Sequence, residues 1–295
     1  MLTILLGVLE EGLVYAIMAL GVYITYKILD FPDLSVDGTF PLGGAITAVL
    51  IVKGVHPVVT LFISFLVGAL AGMLTGIIHV KLKVRDLLSG IIMMTALYSA
   101  NLRIAGRANV AIFTRDTIFN NAFFENAIPD VFRPYLIAAI LFVIVIIIKS
   151  LLDLYLRTKS GYLLRAVGDN DALVTSLAED KGTIKIIGLS IANAFVALAG
   201  SIYTQKSGFF EISTGTGTMV IGLASVIIGI NLMKKISFVK VTTAVVIGSV
   251  IYKLCVSIAI QLGMAASDLK MITAGLFLII LVVSNDRKRR ALANA

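Results

Sequence analysis

Apolar runs of about twenty residues recur along this chain, and its charges crowd into the short stretches between them. A helix crossing the hydrocarbon layer needs ~20 mostly apolar residues, because every backbone polar group must be satisfied within the helix. Runs of that kind fall at about 3–27, 38–53, 57–80, 87–106, 134–152, 184–204, 215–233, 236–262 and 268–284. The second is the weakest of these by length and is rich in glycine and threonine. Of the 295 residues, 59% are hydrophobic and 14% charged. Mean hydropathy is +1.01. A soluble fold of this length could not hide so much apolar surface. The expectation is an all-α, polytopic transmembrane bundle of about nine segments, forming a single domain over 1–295. Met1 to Tyr26 lacks a basic leader region and an A-x-A-like cleavage site, so it is expected to remain as the first span.

Orientation follows from the basic residues. The run Arg287, Lys288, Arg289 and Arg290 is expected on the cytoplasmic side. Alternating back from there puts 17 of the 25 Lys and Arg residues on the inner side and 8 on the outer. That predicts an N-out, C-in chain. The net charge of +8 then reads as topology signal and attraction to anionic lipid headgroups, not as a nucleic-acid surface. Two connections exceed what helix joining needs. One is external, about 107–133, and the other cytoplasmic, about 153–183. Loops this long tend to carry function.

The cytoplasmic loop begins with a basic, amphipathic approach from Thr158 to Arg165. Gly168 and Asn170 are expected to break it, with Asp169 or Asn170 capping a following helix at 171–180. Leu173, Val174 and Leu177 fall on one face of that helix at helical spacing. Lys181-Gly182 is expected to end it. The residues alone allow a helix that merely rests on lipid as readily as one that docks on a partner.

After the first span, Asp30 to Pro41 is polar and holds two prolines, Pro32 and Pro41, with Gly38 between them. Proline interrupts a helix, and carboxylates at membrane depth point to a path or an aqueous loop. A plain cytoplasmic turn is the competing reading.

Two stretches carry a family resemblance. Gly161 to Gly200 includes Arg165-Ala166-Val167-Gly168, Asn170, Lys181, Lys185 and Ala197-Leu198-Ala199-Gly200. It resembles the coupling-loop region of the ABC importer permeases for branched-chain amino acids and ribose-type sugars. Glu179-Asp180-Lys181-Gly182 departs from that family's usual Gly-Ile/Val-Asn-like segment. Phe31-Pro32-Asp33-Leu34-Ser35-Val36-Asp37-Gly38-Thr39-Phe40 resembles the same family's Asp-Leu-Ser-Val-Gly signature, with Asp37 inserted. It is more similar still to a tryptophan/tyrosine-type amino-acid permease subgroup. The resemblance implies a permease subunit that takes no cofactor itself. Two separate ATPase subunits would bind ATP and Mg, an extracytoplasmic solute-binding protein would deliver substrate near the 107–133 loop, and a second permease copy would complete a homodimer in the lipid. It implies that Gly161, Arg165, Ala166, Val167, Gly168, Asn170, Leu173, Val174 and Leu177 couple to the ATPase. An amino acid, aromatic above branched-chain, is the implied substrate.

Candidate path residues are Asp33, Ser35, Asp37, Thr39, Tyr98, Asn101, Asn193 and Glu211. Intramembrane polar groups usually face the bundle interior, although plain interhelical hydrogen bonding accounts for most of them. Gly68, Gly72 and Gly76 at four-residue spacing suit close helix packing or a dimer seam. There is no G-x-x-x-x-G-K-[ST], no H-E-x-x-H and no G-x-S-x-G. His56 and His79 stand far apart and read as structural, as does Cys255. An enzyme is therefore not expected. An ion-gradient-driven secondary transporter would want mid-membrane carboxylates, and the helix centres offer almost none. A membrane scaffold leaves the long cytoplasmic loop unexplained.

Overall fold

The computed structural model describes residues 2–121, 132–176, 179–233 and 239–262, together with 268, 271, 273–275, 277–279 and 281–282. Ten helices lie among them: α1 (Leu2–Val22), α2 (Val36–Val52), α3 (Pro57–Val80), α4 (Asp86–Ala105), α5 (Arg133–Tyr155), α6 (Lys159–Asp169), α7 (Asp171–Ser176), α8 (Lys181–Ser207), α9 (Thr218–Met233) and α10 (Val241–Gln261). Seven helical stretches are long and apolar enough to cross a membrane, and α2 is a shorter apolar helix. These correspond to the first eight expected segments. The ninth, 268–284, lies largely outside the described residues.

Burial separates centre from rim. Two-thirds of the most apolar window of α8 is buried (67%), against 28% in α4 and α5. Helix α8 is the hub and packs on α1, α2 and α3. Rim helices show lipid-facing stripes, such as Val58, Phe62, Leu66 and Leu70 on α3, and Phe142, Ile146 and Leu154 on α5. A stripe at helical spacing on an otherwise packed helix is what a bilayer would solvate. Helix α2 is buried on nearly every side, and a helix apolar all round belongs in a core. Its glycines and threonines, which weakened it as a sequence-level span, are what let it pack. A Cβ on Gly43 would strike the Ala197 carbonyl of α8, and one on Gly200 of α8 would strike the Phe40 carbonyl of α2. Gly68, Gly72 and Gly76 likewise face α8, at Ala194–Ala197, Leu189–Asn193 and Ile186. That stripe is internal packing and not a dimer seam.

Helix α1 loosens into a π-turn over Tyr23–Ile28, where Thr25 Oγ1 donates to the Val22 carbonyl at 3.1 Å. Asp30 then adopts a positive φ of 52° and the chain turns back into α2. Of the two prolines, Pro32 lies in the break between the π-turn and α2, as expected. Pro41 does not interrupt α2 but lies inside it, with Gly215 pressed against its ring and the Asp37 carbonyl. At the end of the bundle away from α6 and α7, a two-stranded antiparallel ribbon pairs β1 (Asn109–Ala111) with β2 (Phe209–Glu211). This small exception to the all-α expectation forms because Gly208 ends α8 at φ 77°, turning the chain sharply into β2. His56 caps α3, accepting from Val58 N at 3.3 Å, and His79 hydrogen-bonds the Val84 carbonyl at 2.9 Å.

Candidate functional site

The 153–183 loop folds as two short helices across one end of the bundle. Thr158 caps α6 by accepting from Gly161 N. Gly161, Leu164 and Val167 are buried, while Tyr162 and Arg165 are exposed. Three sequence expectations change here. Gly168 does not break α6 but lies within it, against the Ile28 carbonyl and the Leu29 backbone. Lys181-Gly182 does not end a helix but opens α8. Asp180 is its cap, accepting from Gly182 N at 2.9 Å and Thr183 N at 3.2 Å. Those bonds and one from the Thr183 hydroxyl hold the Asp180 carboxyl below its usual range. The expected 171–180 helix is shorter, 171–176, and Val174 does not point outward. Its side chain is fully buried in the core of its own chain. Asn170 closes α6, its amide donating to the Ala166 carbonyl at 2.8 Å. Ala166 is half-buried against the same core. The side chain of Leu173, and Leu177 entirely, lie outside the described residues.

The polar break after α1 forms a closed knot. Asp33 Oδ1 accepts from Ser35 N at 2.9 Å, and its Oδ2 accepts from Asn193 Nδ2 at 2.7 Å. Ser35 Oγ donates to Asn193 Oδ1 at 3.2 Å, and Thr39 Oγ1 donates to the Ser35 carbonyl at 3.0 Å. All four side chains are fully buried. In this conformation they tie the start of α2 to the middle of α8 and do not line an open path.

Asp37, Tyr98 and Asn101 are gathered differently. With Thr216 they border a cavity of about 340 Å³ between α2 and α4. Asn101 Nδ2 donates to the Gly38 carbonyl at 3.0 Å, while its Oδ1 has no hydrogen-bond partner among the described residues. Asp37 reaches across to the start of α9, accepting from Gly217 N (2.9 Å), Met219 N (2.8 Å) and Thr218 Oγ1 (3.0 Å). A carboxylate on exposed amides at a helix start is favourable by charge and by hydrogen bonding. We expect Asp37→Ala to cost about 2 kcal/mol. A melting temperature of the purified protein several degrees lower would check it, with Asp37→Asn intermediate. Glu211, at the end of β2, accepts from the Ser213 hydroxyl.

A larger cavity of about 730 Å³ opens at the end opposite α6. Helices α1, α8, α9 and α10 and the Ser213–Gly217 turn enclose it. Sequence reading missed its charged residues. Glu11 Oε2 and Lys253 Nζ form an ion pair at 3.0 Å on its wall, and Glu10 and Lys206 form a second at 3.2 Å beside it. Charge alternation counts Lys206 and Lys253 among the eight basic residues of the outer side and outer helix ends. Only pairing across α1, α8 and α10 shows that they meet carboxylates within spans. No group of three or more potential metal ligands occurs among the described residues.

A bundle of helices apolar enough to cross a membrane, with cavities between them and the amphipathic α6 laid across one end, fits a multi-pass membrane protein. The chain belongs to the family described as branched-chain amino acid transport system, permease component, which matches residues 4–282. It is 45% identical to a tyrosine transport system permease protein of Clostridioides difficile strain R20291, over 95% of this chain and 91% of that protein. It is 31% identical to an uncharacterized protein of Rickettsia prowazekii strain Madrid E, over 97% and 99%. It is 27% identical to the ribose import permease protein of Escherichia coli strain K12, over 76% and 68%. No solved structure gives a significant match. The chain is thus an ABC importer permease of the bacterial inner membrane, moving small solutes, and not an enzyme. This sets aside the ion-gradient alternative.

Proposed function

We propose that this chain forms half of the membrane channel of an aromatic amino-acid importer, working as a homodimer by alternating access. The carrying observation is its 45% identity, over nearly its whole length, to a tyrosine transport system permease protein. The N-out, C-in orientation puts α6 and α7 in the cytoplasm. There the exposed face of α6, with Tyr162 and Arg165, meets one of two ATPase subunits that bind ATP and Mg. The buried face, Gly161, Leu164 and Val167, passes the ATPase motion to the π-turn of α1 and to α8. The opposite end, with the β1–β2 ribbon and the 107–133 loop, receives the solute-binding protein. The 730 Å³ cavity opens toward that side.

The test is reconstitution of the permease with its ATPase and solute-binding protein in proteoliposomes. ATP-dependent uptake of labelled L-tyrosine should exceed that of L-leucine and of D-ribose. Preferential uptake of either of the latter would overturn the aromatic assignment.

A further inference from the structure

The geometry points to the Glu11–Lys253 pair as a clamp for the zwitterionic backbone of the transported amino acid, with Tyr203 beside its side chain. This rests on the aromatic amino-acid reading above.

Ionisable residues within spans are costly, and their retention is a functional signal by default. Here the two charges sit on a cavity wall and not in a sealed contact. The Glu11 side chain keeps 47% of its surface exposed and that of Lys253 13%. A free amino acid carries one ammonium and one carboxylate. Inserted between the partners, it gives its ammonium to Glu11 and its carboxylate to Lys253. Two charge-assisted contacts replace one, and the net charge of the membrane interior does not change. A neutral sugar offers no such exchange and would leave the pair to be broken without compensation.

The surroundings suit a ring. Lys253 Nζ lies 4.0 Å from the centroid of Tyr15, which fixes where the ammonium sits. Tyr15 is itself held by parallel stacking on Phe40, with centroids 5.8 Å apart and planes 5° apart. Tyr203 lies 6.0 Å away, tilted by 58°. Tyr15, Tyr203 and Tyr252 all line the cavity. Tyr15 and Tyr252 are almost wholly buried and shape the wall, which leaves the half-buried Tyr203 as the ring that a ligand side chain meets. The Glu10–Lys206 pair is more enclosed, at 13% and 16% exposure, and is not on the cavity wall. It reads as a tie between α1 and α8. The Glu11–Lys253 pair has the access that a ligand needs.

The first measurement leaves the protein unaltered. Labelled L-tyrosine bound to the wild-type permease–ATPase complex should be displaced by L-phenylalanine. Tyramine, which lacks the carboxylate, and 3-(4-hydroxyphenyl)propanoate, which lacks the amine, should each compete about tenfold less well or worse. Equal competition by both analogues overturns the clamp. So does an absence of tyrosine binding in a complex that imports tyrosine. A wild-type complex that imports no aromatic amino acid overturns instead the reading beneath it. The second measurement exchanges the charges. Glu11→Lys with Lys253→Glu restores an ion pair, so the variant should assemble with the ATPase yet lose about tenfold or more of tyrosine uptake. Uptake at the wild-type level in the exchanged variant makes the pair a tie between helices and overturns the clamp.

Discussion

Gly168→Ala unseats α6 from the membrane bundle and removes most ATP-driven uptake. The reason is geometric. Gly168 lies within α6 at a point where an added Cβ would collide with the Ile28 carbonyl and the Leu29 Cα. Both are backbone, so no rotamer change relieves the overlap. Overpacking costs ~1–3 kcal/mol where a core can give, and here the π-turn of α1 would have to give. The opposing anchor is Leu164 and Val167, both buried, at about 1.5–3 kcal/mol each and so about 3–6 kcal/mol together. The overlap is with a backbone carbonyl, so its cost exceeds the ordinary overpacking range and lifting the helix competes with compressing the backbone. The check uses a single cysteine, Val167→Cys, in a Cys255→Ala background. It should resist a soluble maleimide with Gly168 and react once Gly168 is alanine. Uptake should fall by an order of magnitude or more. Tyr162→Ala, on the exposed face, should leave the cysteine protected. Continued protection of the cysteine in Gly168→Ala would refute the seating of α6.

The same position shows why part of this molecule is legible in its sequence and part is not. Span positions follow from length and hydropathy, which the bilayer dictates locally, so 57–80 agrees with α3 to the residue. Helix α2 reads as marginal because a sequence-level span is judged by apolarity alone. Its glycines make sense only when Ala197 and Gly200 of α8 lie across from them. Gly168 reads as a breaker for the same reason, since nothing in sequence shows the Ile28 carbonyl opposite. Lys181-Gly182 looks like a stop because a glycine after a lysine suits a helix end. Asp180 reverses it by offering a carboxylate to the amides that follow.

Charges were the least legible feature. Counting lysines and arginines by side gives orientation but treats each as an isolated marker. Glu11 and Lys253 are 242 positions apart. Their meeting depends on α1 packing against α10, and it makes Lys253, a mere orientation marker by sequence, one half of a pair on a cavity wall. Conversely, Asp33, Ser35 and Asn193 read as a path in the sequence, because polar groups at membrane depth suggest one. The structure closes them on each other, since Asn193 presents an amide at the height where α2 begins.

Asp33→Ala is expected to be the most damaging single polar substitution. Among the described contacts, Asp33 holds both the Ser35 amide and the Asn193 side chain. Its loss leaves two buried donors without that acceptor and opens a space where the chain reverses from α1 into α2. Neutral interhelical hydrogen bonds in membranes average ~0.6 kcal/mol, which would make the change minor. Bonds to a charged acceptor are worth ~1.5–3 kcal/mol, and stranding a buried donor adds its desolvation. With two donors left in a fully buried site, a loss of about 3–4 kcal/mol is expected. Asp33→Asn keeps one acceptor oxygen but faces one of the two donors with its own amide, and should fall between. Asn193→Leu tests the other side of the knot, removing the partners of both Asp33 and Ser35 at once. If the three bonds act as a unit, the Asp33→Ala/Asn193→Leu double variant will be little worse than the more damaging single variant. Thermal inactivation of the purified permease–ATPase complex gives all four values. Full additivity, or an Asp33→Ala complex as stable as the wild type, would mean that α2 is held by its apolar packing alone.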